Sequence, residues 1–505
     1  MKIALISLYS TISSYGLRSI SACLKQEGYE VNLIFLPQKW ETRYDEEVLN
    51  NLVSLVREAD LIGISLMTNH FDNAVQLTSR IKQSINTTVM WGGVHPTIRP
   101  EECLDYADII CVGEGEEAIL ELARKMREGE NYLETKGLWF KKNDKIIRNE
   151  AAPLIKDLNS IPYQDYDYHS HHILTGNTIK IMNEDLIKSH LQNDYLAQPT
   201  RGCPFNCTYC CNTILNKMYL HQKPIRKRSA SNLIGELMEV RNKLPFVQHI
   251  TFDDDAFFCY SVDEITEFST EYKRTIGLPL EIRGASPSTL TKPKLAPLVA
   301  AGLTSIRMGI QTGSERTKKM YGRPHSNQKV EDCVNIIHEF RDKIPLPQYD
   351  IIINNPWETH EDLVSTLMFF AKLPTPYRLS VFSLIFYPGT ELYDKAVKDG
   401  IISDDLNDIY RKSYNVVADG TSGRLMNQSY INNLIYLLYV FSLNGLNLST
   451  KTWMVMVNRK SNFLKSWFLY FIMKLRASFL LKKRLFKQTY SAVKGESIRD
   501  AYELD

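Results

Sequence analysis

Residues 201–212 read Arg-Gly-Cys-Pro-Phe-Asn-Cys-Thr-Tyr-Cys-Cys-Asn, which places three thiols at a C-x3-C-x2-C spacing. Residues 195–200 are predicted to form a strand, so the thiols lie on the loop that follows it. Three thiolates on a tight loop suit an iron-sulfur cube in which one iron has no protein ligand. The alternatives are a zinc site with Cys211 as fourth ligand, or buried free cysteines. No second C-x2-C or H-x3-H pair in the sequence supports zinc.

A repeated strand and helix pattern continues from this loop. Helix-compatible stretches separate six predicted strands, which cover residues 195–200, 249–254, 280–285, 305–311, 349–353 and 379–386. Six consecutive βα units predict a partial TIM-type (βα)6 barrel, in which the chemistry takes place at the carboxyl ends of the strands.

A second alternating pattern occupies the amino-terminal part of the chain. Its five predicted strands cover residues 2–8, 30–36, 60–66, 87–91 and 108–112, and amphipathic stretches such as 17–26 and 46–57 lie between them. This alternation predicts an α/β domain with a doubly wound, Rossmann-like parallel sheet. Ligands of such sheets bind beyond the carboxyl ends of the strands, and here those ends are rich in glycine.

The cysteine spacing, with the aromatic Tyr209 before its last thiol, resembles that of the radical S-adenosylmethionine enzymes. The resemblance implies that Cys203, Cys207 and Cys210 hold a 4Fe-4S cluster. It also implies that the free iron of this cluster binds S-adenosylmethionine, which is then cleaved to a 5'-deoxyadenosyl radical.

Further S-adenosylmethionine contacts follow from the same resemblance. Tyr209 would lie near the adenine, Asp254 and Asp255 would help to hold the amino group, and Gln311 and Ser314 would meet the ribose and carboxylate. Helix capping is the alternative role for the two aspartates. A plain strand-to-helix turn is the alternative for the segment that contains Gln311.

A doubly wound domain before such a barrel resembles the cobalamin-binding subclass of this family, and the resemblance covers residues 1 to 400 approximately. It implies cobalamin as a cofactor, held at the strand ends by Ser65, Thr68, Gly92, Gly93, Gly113 and Glu114. The sequence has no D-x-H-x-x-G motif, which supplies an axial histidine in many cobalamin proteins. His70 and His95 are therefore interpreted as loop or pocket-wall residues, and the axial ligand stays open.

The resemblance implies an enzyme, a cobalamin-dependent C-methyltransferase acting on an unactivated carbon of a natural-product or lipid precursor. One S-adenosylmethionine would supply the methyl group through cobalamin, and a second would supply the radical. Cyclisation or rearrangement without methyl transfer is one alternative. A cobalamin or redox sensor with a structural cluster is another. The expected partners are a small-molecule or lipid-like substrate and an electron donor such as flavodoxin or ferredoxin.

The chain divides into four predicted regions. They are a cobalamin-binding domain at 1–136, a connector with a hairpin signal at 137–193, the radical S-adenosylmethionine core at 194–400, and a helical region at 401–505. Residues 451–505 contain 12 basic and 4 acidic side chains, and residues 463–486 interleave aromatic and basic residues. This pattern favours contact with an anionic membrane surface, packing on the barrel, or a lid over its mouth.

The charge and the cysteine content restrict the classes of partner and the cellular compartment that are expected. The 60 basic and 58 acidic residues create no global field for nucleic acid, which is not expected as a partner. Residues 3–8 are too short for a signal-peptide core, and no run of 18 apolar residues is present. The odd number of nine cysteines fits a reducing compartment. We therefore expect a cytoplasmic protein, with peripheral membrane contact as a further option.

Overall fold

A computed structural model describes residues 1–143, 145–222, 225–323, 325–412 and 430–458. The chain forms two compact units. The first comprises Met1–Tyr260, Thr270–Leu278 and Phe386–Lys412, and the second comprises Ser261–Ser269, Pro279–Ile385 and, of the later residues, the described range 430–458. Within the described ranges, none of the helices combines the length and apolar character needed to cross a lipid bilayer.

The first unit is built on a nine-stranded sheet. Its strands are β1 (Lys2–Ser7), β2 (Glu30–Phe35), β3 (Leu61–Ser65), β4 (Thr88–Gly92), β5 (Ile109–Cys111), β6 (Leu138–Lys142), β7 (Lys145–Arg148), β8 (His171–Thr175) and β9 (Thr178–Ile181). They are hydrogen-bonded in the order β7-β6-β5-β4-β3-β1-β2-β8-β9.

The central five strands confirm the predicted doubly wound sheet. They run parallel, and Ile6 on β1 pairs with Ile34 on β2 and with Ile64 on β3. All three isoleucines are buried, as expected where helices cover both faces of a parallel sheet. The order 2-1-3-4-5 creates a topological switch point between β1 and β3, where such sheets bind their ligands.

The helices of this unit cover the sheet and carry the loops of the site. They are α1 (Tyr15–Gln26), α2 (Glu46–Val56), α3 (Phe71–Ser84), α4 (Val94–Ile98), α5 (Pro100–Cys103), α6 (Glu116–Glu128), α7 (Glu184–Leu191), α8 (Cys211–Met218) and α9 (Ala230–Lys243), with α10 (Val262–Thr275) holding residues of both units. Helix α1 buries Leu17, Ile20 and Leu24, which form one apolar stripe at helical spacing.

The predicted connector adds strands to both edges of the first sheet. The expected hairpin is present as β6 and β7, and β6 pairs antiparallel with β5. Strand β8 pairs with β2 at the opposite edge and β9 pairs with β8. Unpaired backbone groups at a sheet edge favour such additions, because each new strand satisfies a row of N–H and C=O groups.

The six predicted barrel strands are also present. The first unit holds β10 (Asp194–Ala197), β11 (Thr200–Arg201), β12 (Arg226–Lys227) and β13 (His249–Phe252); the second holds β14 (Leu280–Ala285), β15 (Leu303–Gln311), β16 (Gln348–Ile353) and β17 (Arg378–Ser383). Within the first unit β10 and β13 run parallel, and β11 and β12 form a short antiparallel pair. Within the second unit β14, β15, β16 and β17 pair in parallel succession.

The remaining helices complete the chain. They are α11 (Lys292–Ala301), α12 (Glu315–Met320), α13 (Asn327–Glu339), α14 (His360–Lys372), α15 (Glu391–Lys398), α16 (Tyr430–Leu443) and α17 (Thr450–Asn458). Helices α16 and α17 confirm helical structure in part of the predicted carboxyl-terminal region. The basic-aromatic segment 463–486 lies outside the described residues.

Candidate functional site

A cavity of about 350 Å³ lies in the first unit at the carboxyl ends of β1, β3, β4 and β5. The first sheet and its loops contribute polar and glycine-rich lining, and residues around the cysteine loop contribute the facing part. The latter residues are Gln198, Arg201, Gly202, Cys211, Asn212, Asn216, Tyr219, Arg226 and Asp255. Of the predicted cluster and S-adenosylmethionine residues, Asp255 lines this cavity, together with Gly202 and Cys211 of the cysteine loop.

Glycines let the backbone come close to the cavity at two strand ends. Gly93 has a φ of 102°, and a Cβ there would lie 2.7 Å from the carbonyl oxygen of Leu66. Gly113 has a φ of 89°, and a Cβ there would lie 2.0 Å from the Tyr219 hydroxyl oxygen. Only glycine fits both the conformation and the packing against Leu66 and Tyr219. The two glycines also line the cavity, and we name their backbone there the cradle. Main-chain atoms at a strand end fit the approach of a large ring ligand such as cobalamin.

Five of the six predicted cobalamin contacts line this cavity. They are Ser65, Gly92, Gly93, Gly113 and Glu114. Thr68 does not line it, because its side chain is buried with Oγ1 3.3 Å from Nδ1 of His95.

Neither His70 nor His95 lines the cavity. His95 is fully buried, and its ring packs edge-on against Phe71 and Tyr410. Burial, with the charge of Arg99, lowers the pKa of His95 to about 3 and keeps the ring neutral. Among the described residues, no histidine lies on the cavity wall.

Tyr9 lines the cavity at the switch point, and the sequence analysis did not include it. Its hydroxyl lies 3.3 Å from Oγ of Ser65, so the two side chains connect the ends of β1 and β3. Burial raises the pKa of Tyr9 and keeps the phenol protonated. Its position directly after the first strand is the signal that could have identified it.

Two arginines bind the acidic residues of the β5–α6 loop. Arg226 donates from Nη1 and Nη2 to the two carboxylate oxygens of Glu114, at 2.8 and 2.7 Å. Arg201 donates from Nη2 to Glu116 at 2.5 Å. Burial opposes ionisation of Glu114, but hydrogen bonding and the charges of Arg226 and Arg201 outweigh it and lower the pKa of this carboxyl. Neither arginine was predicted from the sequence.

The three predicted cluster ligands lie on the loop between β11 and α8. Backbone bonds shape this loop, since the Cys210 nitrogen donates to the Cys207 carbonyl at 3.0 Å and Asn216 Nδ2 donates to the Cys203 carbonyl at 3.1 Å. Cys210 is also the residue immediately before α8. These bonds tie Cys210 to Cys207 and tie Cys203 to α8, the helix that carries Asn216.

Of the three predicted ligands, Cys207 is buried, and Cys203 and Cys210 are half-buried. Burial is the main cause that raises the pKa of Cys203 to about 12, and Asp255, Cys210 and Cys207 raise it further. Three thiols close enough to influence one another on one loop fit the donor set of a cluster that binds through cysteine alone. In the described part of the chain, however, no three His, Cys, Asp or Glu side chains converge on a common metal position.

The two predicted aspartate contacts have different surroundings. Asp255 lines the cavity and accepts a hydrogen bond from Asn212 Nδ2 at 3.0 Å. Asp254 is buried and accepts bonds from the Thr200 nitrogen, the Thr200 hydroxyl and the Ala256 nitrogen. Burial raises the pKa of Asp254 to about 7. The geometry thus favours Asp255 as a cosubstrate contact and a structural role for Asp254.

The other three predicted S-adenosylmethionine contacts, Tyr209, Gln311 and Ser314, have different surroundings. Tyr209 lies on the cysteine loop of the first unit and is not part of the cavity lining. In the second unit, Gln311 ends β15 with a φ of 75°, and its buried Oε1 has no hydrogen-bond partner among the described residues. Ser314 caps α12, accepting from the Thr317 nitrogen and donating to Asp362 at 2.6 Å.

Two protein families match parts of the chain. Residues 1–123 match the B12 binding domain family, and residues 197–370 match the Radical SAM superfamily. The predicted cofactors, cobalamin, S-adenosylmethionine and a 4Fe-4S cluster, agree with these two matches.

Two curated relatives extend over most of the chain. An uncharacterised methyltransferase of Pyrococcus horikoshii is 27% identical over 352 residues, which are 68% of this chain and 71% of the relative. The anaerobic magnesium-protoporphyrin IX monomethyl ester cyclase of Cereibacter sphaeroides is 23% identical over 436 residues, 78% of this chain and 66% of the relative.

A solved structure shares the fold. It is the radical S-adenosylmethionine methyltransferase TsrM from Kitasatospora setae with tryptophan substrate and an S-adenosylmethionine analogue bound. The match has a TM-score of 0.63 at 17% identity and covers 79% of this chain and 76% of TsrM. The chain thus belongs to the radical S-adenosylmethionine enzymes that carry an amino-terminal B12 binding domain.

Proposed function

We propose that this enzyme is a cobalamin-dependent methyltransferase that methylates an unactivated carbon of a small molecule. One observation supports it most directly: the Gly93 and Gly113 cradle of the first sheet lines the same cavity as Cys211 and Asp255 beside the cysteine loop. Transfer of a methyl group to a substrate radical requires that both cofactors reach one enclosed space. The relative from Pyrococcus horikoshii, named a methyltransferase, is consistent with this reaction.

The chain's own residues would hold the cofactors in distinct ways. Cys203, Cys207 and Cys210 would ligate the 4Fe-4S cluster. When bound, the cluster and S-adenosylmethionine supply the radical, and cobalamin supplies the methyl group. Ser65 and the glycine cradle would contact the corrin ring. The large apolar faces of the ring suit contact with main-chain atoms better than contact with charged side chains.

Positioning of S-adenosylmethionine falls to a second group of residues. Asp255, whose side chain faces the cavity, would accept from the amino group. Tyr209 would lie against the adenine, and the unpartnered Oε1 of Gln311 would accept from the ribose. Ser314 is the weakest of the proposed contacts, since its hydroxyl already caps α12 and donates to Asp362.

The cavity wall also bears on the class of substrate. Apolar side chains make up much of the lining, with Leu5, Ile20 and Val94 from the first sheet and its helices and Leu154 and Leu215 from the facing segments. The same apolar wall favours a substrate with substantial nonpolar surface.

Ring formation without methyl transfer is the second candidate function. The similarity to the cyclase of Cereibacter sphaeroides favours it, because that relative covers 78% of this chain. The two candidates differ in one product. Methyl transfer releases S-adenosylhomocysteine with 5'-deoxyadenosine, whereas a cyclase would release 5'-deoxyadenosine alone.

The proposal includes an external partner and a location. A one-electron donor such as flavodoxin or ferredoxin would reduce the cluster, because reductive cleavage of S-adenosylmethionine consumes an electron. A lipid-like substrate would fit peripheral contact with a membrane through residues 463–486, a segment outside the described residues.

The test is anaerobic reconstitution of the full chain with iron, sulfide and hydroxocobalamin, followed by reduction with dithionite in the presence of S-adenosylmethionine. Mass spectrometry measures 5'-deoxyadenosine and S-adenosylhomocysteine. We expect both products from the wild type and from Cys333→Ala, whose buried thiol on α13 donates to the Pro287 carbonyl, and no 5'-deoxyadenosine from Cys207→Ala.

Other outcomes would change the proposal. Formation of 5'-deoxyadenosine without S-adenosylhomocysteine would favour ring formation. Bound iron and cobalamin with neither product would favour a sensor that uses the cluster structurally.

A further inference from the structure

The loop that carries the cluster cysteines is attached to the cobalamin-side loop by a set of buried ion pairs, named here the clasp: Glu114, Glu116, Arg201 and Arg226. All four residues line the cavity. Arg201 stands two residues before Cys203, and Glu114 directly follows Gly113 of the cradle. The clasp therefore joins the base of one cofactor site to the rim of the other.

The two arginines lie directly opposite each other on neighbouring strands. Arg201 on β11 is the cross-strand partner of Arg226 on β12. Like charges in such a pair repel each other, which destabilises the ladder unless acids neutralise them. Glu114 and Glu116 supply these acids from the β5–α6 loop. Docking against Glu114 and Glu116 therefore neutralises the β11–β12 ribbon, whose two strands flank the cysteine loop in sequence.

The clasp fixes the relative orientation of the ion-paired side chains more than it contributes to the stability of the folded protein. Arg226 binds both oxygens of Glu114, and its Nη1 also donates to the Ile155 carbonyl at 2.9 Å. Such a forked contact holds guanidinium and carboxylate in one plane and one orientation. Desolvation offsets most of the attraction in a buried ion pair, so stability alone gives little reason for four charges here.

We propose that the clasp is a positioning device that sets the separation between the cluster and cobalamin, and that Glu114 acts through Arg226 without binding cobalamin. This inference rests on the proposed function, because that function assigns the cofactors to the two sides of the cavity. A weakened clasp would therefore leave the cluster and cobalamin bound but alter the magnetic coupling between them.

The test compares Glu116→Gln with Glu117→Gln in the full chain. Glu117 lies next to Glu116 on the same helix but is exposed, so its replacement controls for the lost charge at the start of α6. Glu116→Gln removes the acid that binds Arg201 with little change in volume. Arg201→Lys keeps the positive charge and tests whether the guanidinium itself matters, since Arg201 reaches Glu116 through Nη2 and Glu114 through Nη1.

The first measurement needs no cofactor. Amide hydrogen exchange of residues 200–210 in the cofactor-free chain should become about tenfold faster in Glu116→Gln and less so in Arg201→Lys, because breaking a buried pair frees the loop it holds. Glu117→Gln should exchange like the wild type. Equal exchange rates in the wild type and the three variants would show that the clasp does not hold the cysteine loop.

The second measurement detects the separation between the cofactors. In reconstituted and partly reduced protein, the magnetic coupling between cob(II)alamin and the reduced cluster depends on their distance and appears in the electron paramagnetic resonance line shape. We expect an altered line shape in Glu116→Gln, with unchanged iron and cobalamin content. We also expect more 5'-deoxyadenosine per S-adenosylhomocysteine, since radical formation would proceed without efficient methyl transfer.

The outcomes separate this inference from the proposed function. If the wild type forms both products and Glu116→Gln matches it in line shape and product ratio, the function stands and the positioning role is wrong. If the wild type forms neither product while exchange still accelerates in Glu116→Gln, the proposed function fails although the clasp holds the loop. Loss of bound cobalamin in Glu114→Gln, with the exchange of residues 200–210 unchanged, would make Glu114 a direct cobalamin contact.

Discussion

The carboxylate of Asp254 accepts hydrogen bonds from both the backbone nitrogen and the hydroxyl of Thr200, at 2.5 and 2.8 Å. Its Oδ1 also accepts from the Ala256 nitrogen at 2.8 Å. One side chain therefore joins the end of β13 to the start of β11, the strand that leads into the cysteine loop.

We predict that Asp254→Asn destabilises the protein. If the amide oxygen keeps the bonds made by Oδ1, the amide nitrogen replaces Oδ2 and faces the Thr200 N–H, so two donors meet. A buried donor without an acceptor costs roughly 1–3 kcal/mol of unfolding free energy. Urea denaturation of the full chain, followed by circular dichroism, measures this loss.

Asp255→Asn is the matched control for this variant. Its side chain faces the cavity, so we expect its unfolding free energy to stay within about 0.5 kcal/mol of the wild type. Binding of S-adenosylmethionine to the reconstituted protein should weaken instead. Unchanged stability of Asp254→Asn with weaker S-adenosylmethionine binding would reverse the roles of the two aspartates.

Gly113→Ala should impair cobalamin binding without removing the cluster. The added Cβ would lie 2.0 Å from the Tyr219 hydroxyl oxygen and would require a φ of 89° that alanine rarely adopts. Either the ring of Tyr219 or the β5–α6 loop must move, and both line the cavity. Cobalamin retained after gel filtration, measured by absorbance, should fall at least severalfold while iron content stays constant.

Gly129→Ala is the control for Gly113→Ala. It has the cost of a positive φ but no steric clash of the new Cβ. Gly129 ends α6 with a φ of 69°, and a Cβ there would meet nothing within 4 Å. This variant therefore pays only the strain of a left-handed alanine, about 1 kcal/mol. If both alanine variants retained wild-type amounts of cobalamin, the cradle would not be the binding site.

The alternating pattern was sufficient to predict both strand series, because a strand buried between helices needs a short apolar run whatever its tertiary partner. The predicted run at residues 60–66 became β3 (Leu61–Ser65), and the run at 280–285 became β14 (Leu280–Ala285). The strand ends then located Gly93 and Gly113, since parallel strands place their carboxyl ends at one edge.

The hydrogen-bond partners of individual side chains could not be predicted from the sequence pattern. Glu114 was predicted to contact cobalamin, yet its carboxylate binds Arg226, a residue 112 positions away in the chain. Nothing in the sequence near Glu114 indicates this partner, because the contact depends on how the β11–β12 ribbon folds back. Thr68 was misplaced for a similar reason, since its hydroxyl faces the buried ring of His95 and not the cavity.

The stability of the protein should fall below neutral pH, in part because of His95. Its folded pKa of about 3 is below the ordinary value of 6.5, so the folded state favours the neutral ring. The stabilisation is complete above about pH 6.5 and decreases as pH falls toward 3, by up to about 1.4 kcal/mol per pH unit. Arg99 contributes to the shift, and Glu102 Oε2 lies 3.9 Å from Nε2.

His95→Gln tests this pH dependence. The variant should be less stable than the wild type at about pH 7, because the buried packing against Phe71 is lost, but the difference should shrink at about pH 5. His169→Gln, at an exposed position, should preserve the wild-type pH dependence. A stability difference that stays constant between the two pH values would show that the ring of His95 does not resist protonation.

The cavity wall leads to a prediction about the axial ligand of cobalt. No described histidine lines the cavity, whereas Tyr9 does so at the β1–β3 switch point with its hydroxyl 3.3 Å from Ser65 Oγ. We therefore expect no protein nitrogen on the cobalt. Cobinamide, which lacks the nucleotide base of cobalamin, is the suitable probe, because any nitrogen splitting in its Co(II) electron paramagnetic resonance spectrum must come from the protein.

The spectrum of bound Co(II) cobinamide should show no nitrogen splitting in the wild type, and His70→Ala and His95→Ala should leave it unchanged. Tyr9→His should introduce a threefold splitting, because it places an imidazole on the wall at the switch point. Splitting in the wild type that disappears in His70→Ala would mean that α3 moves on binding, since His70 is buried in the turn before that helix. The absence of splitting in Tyr9→His, with cobinamide bound, would place the corrin ring away from Tyr9.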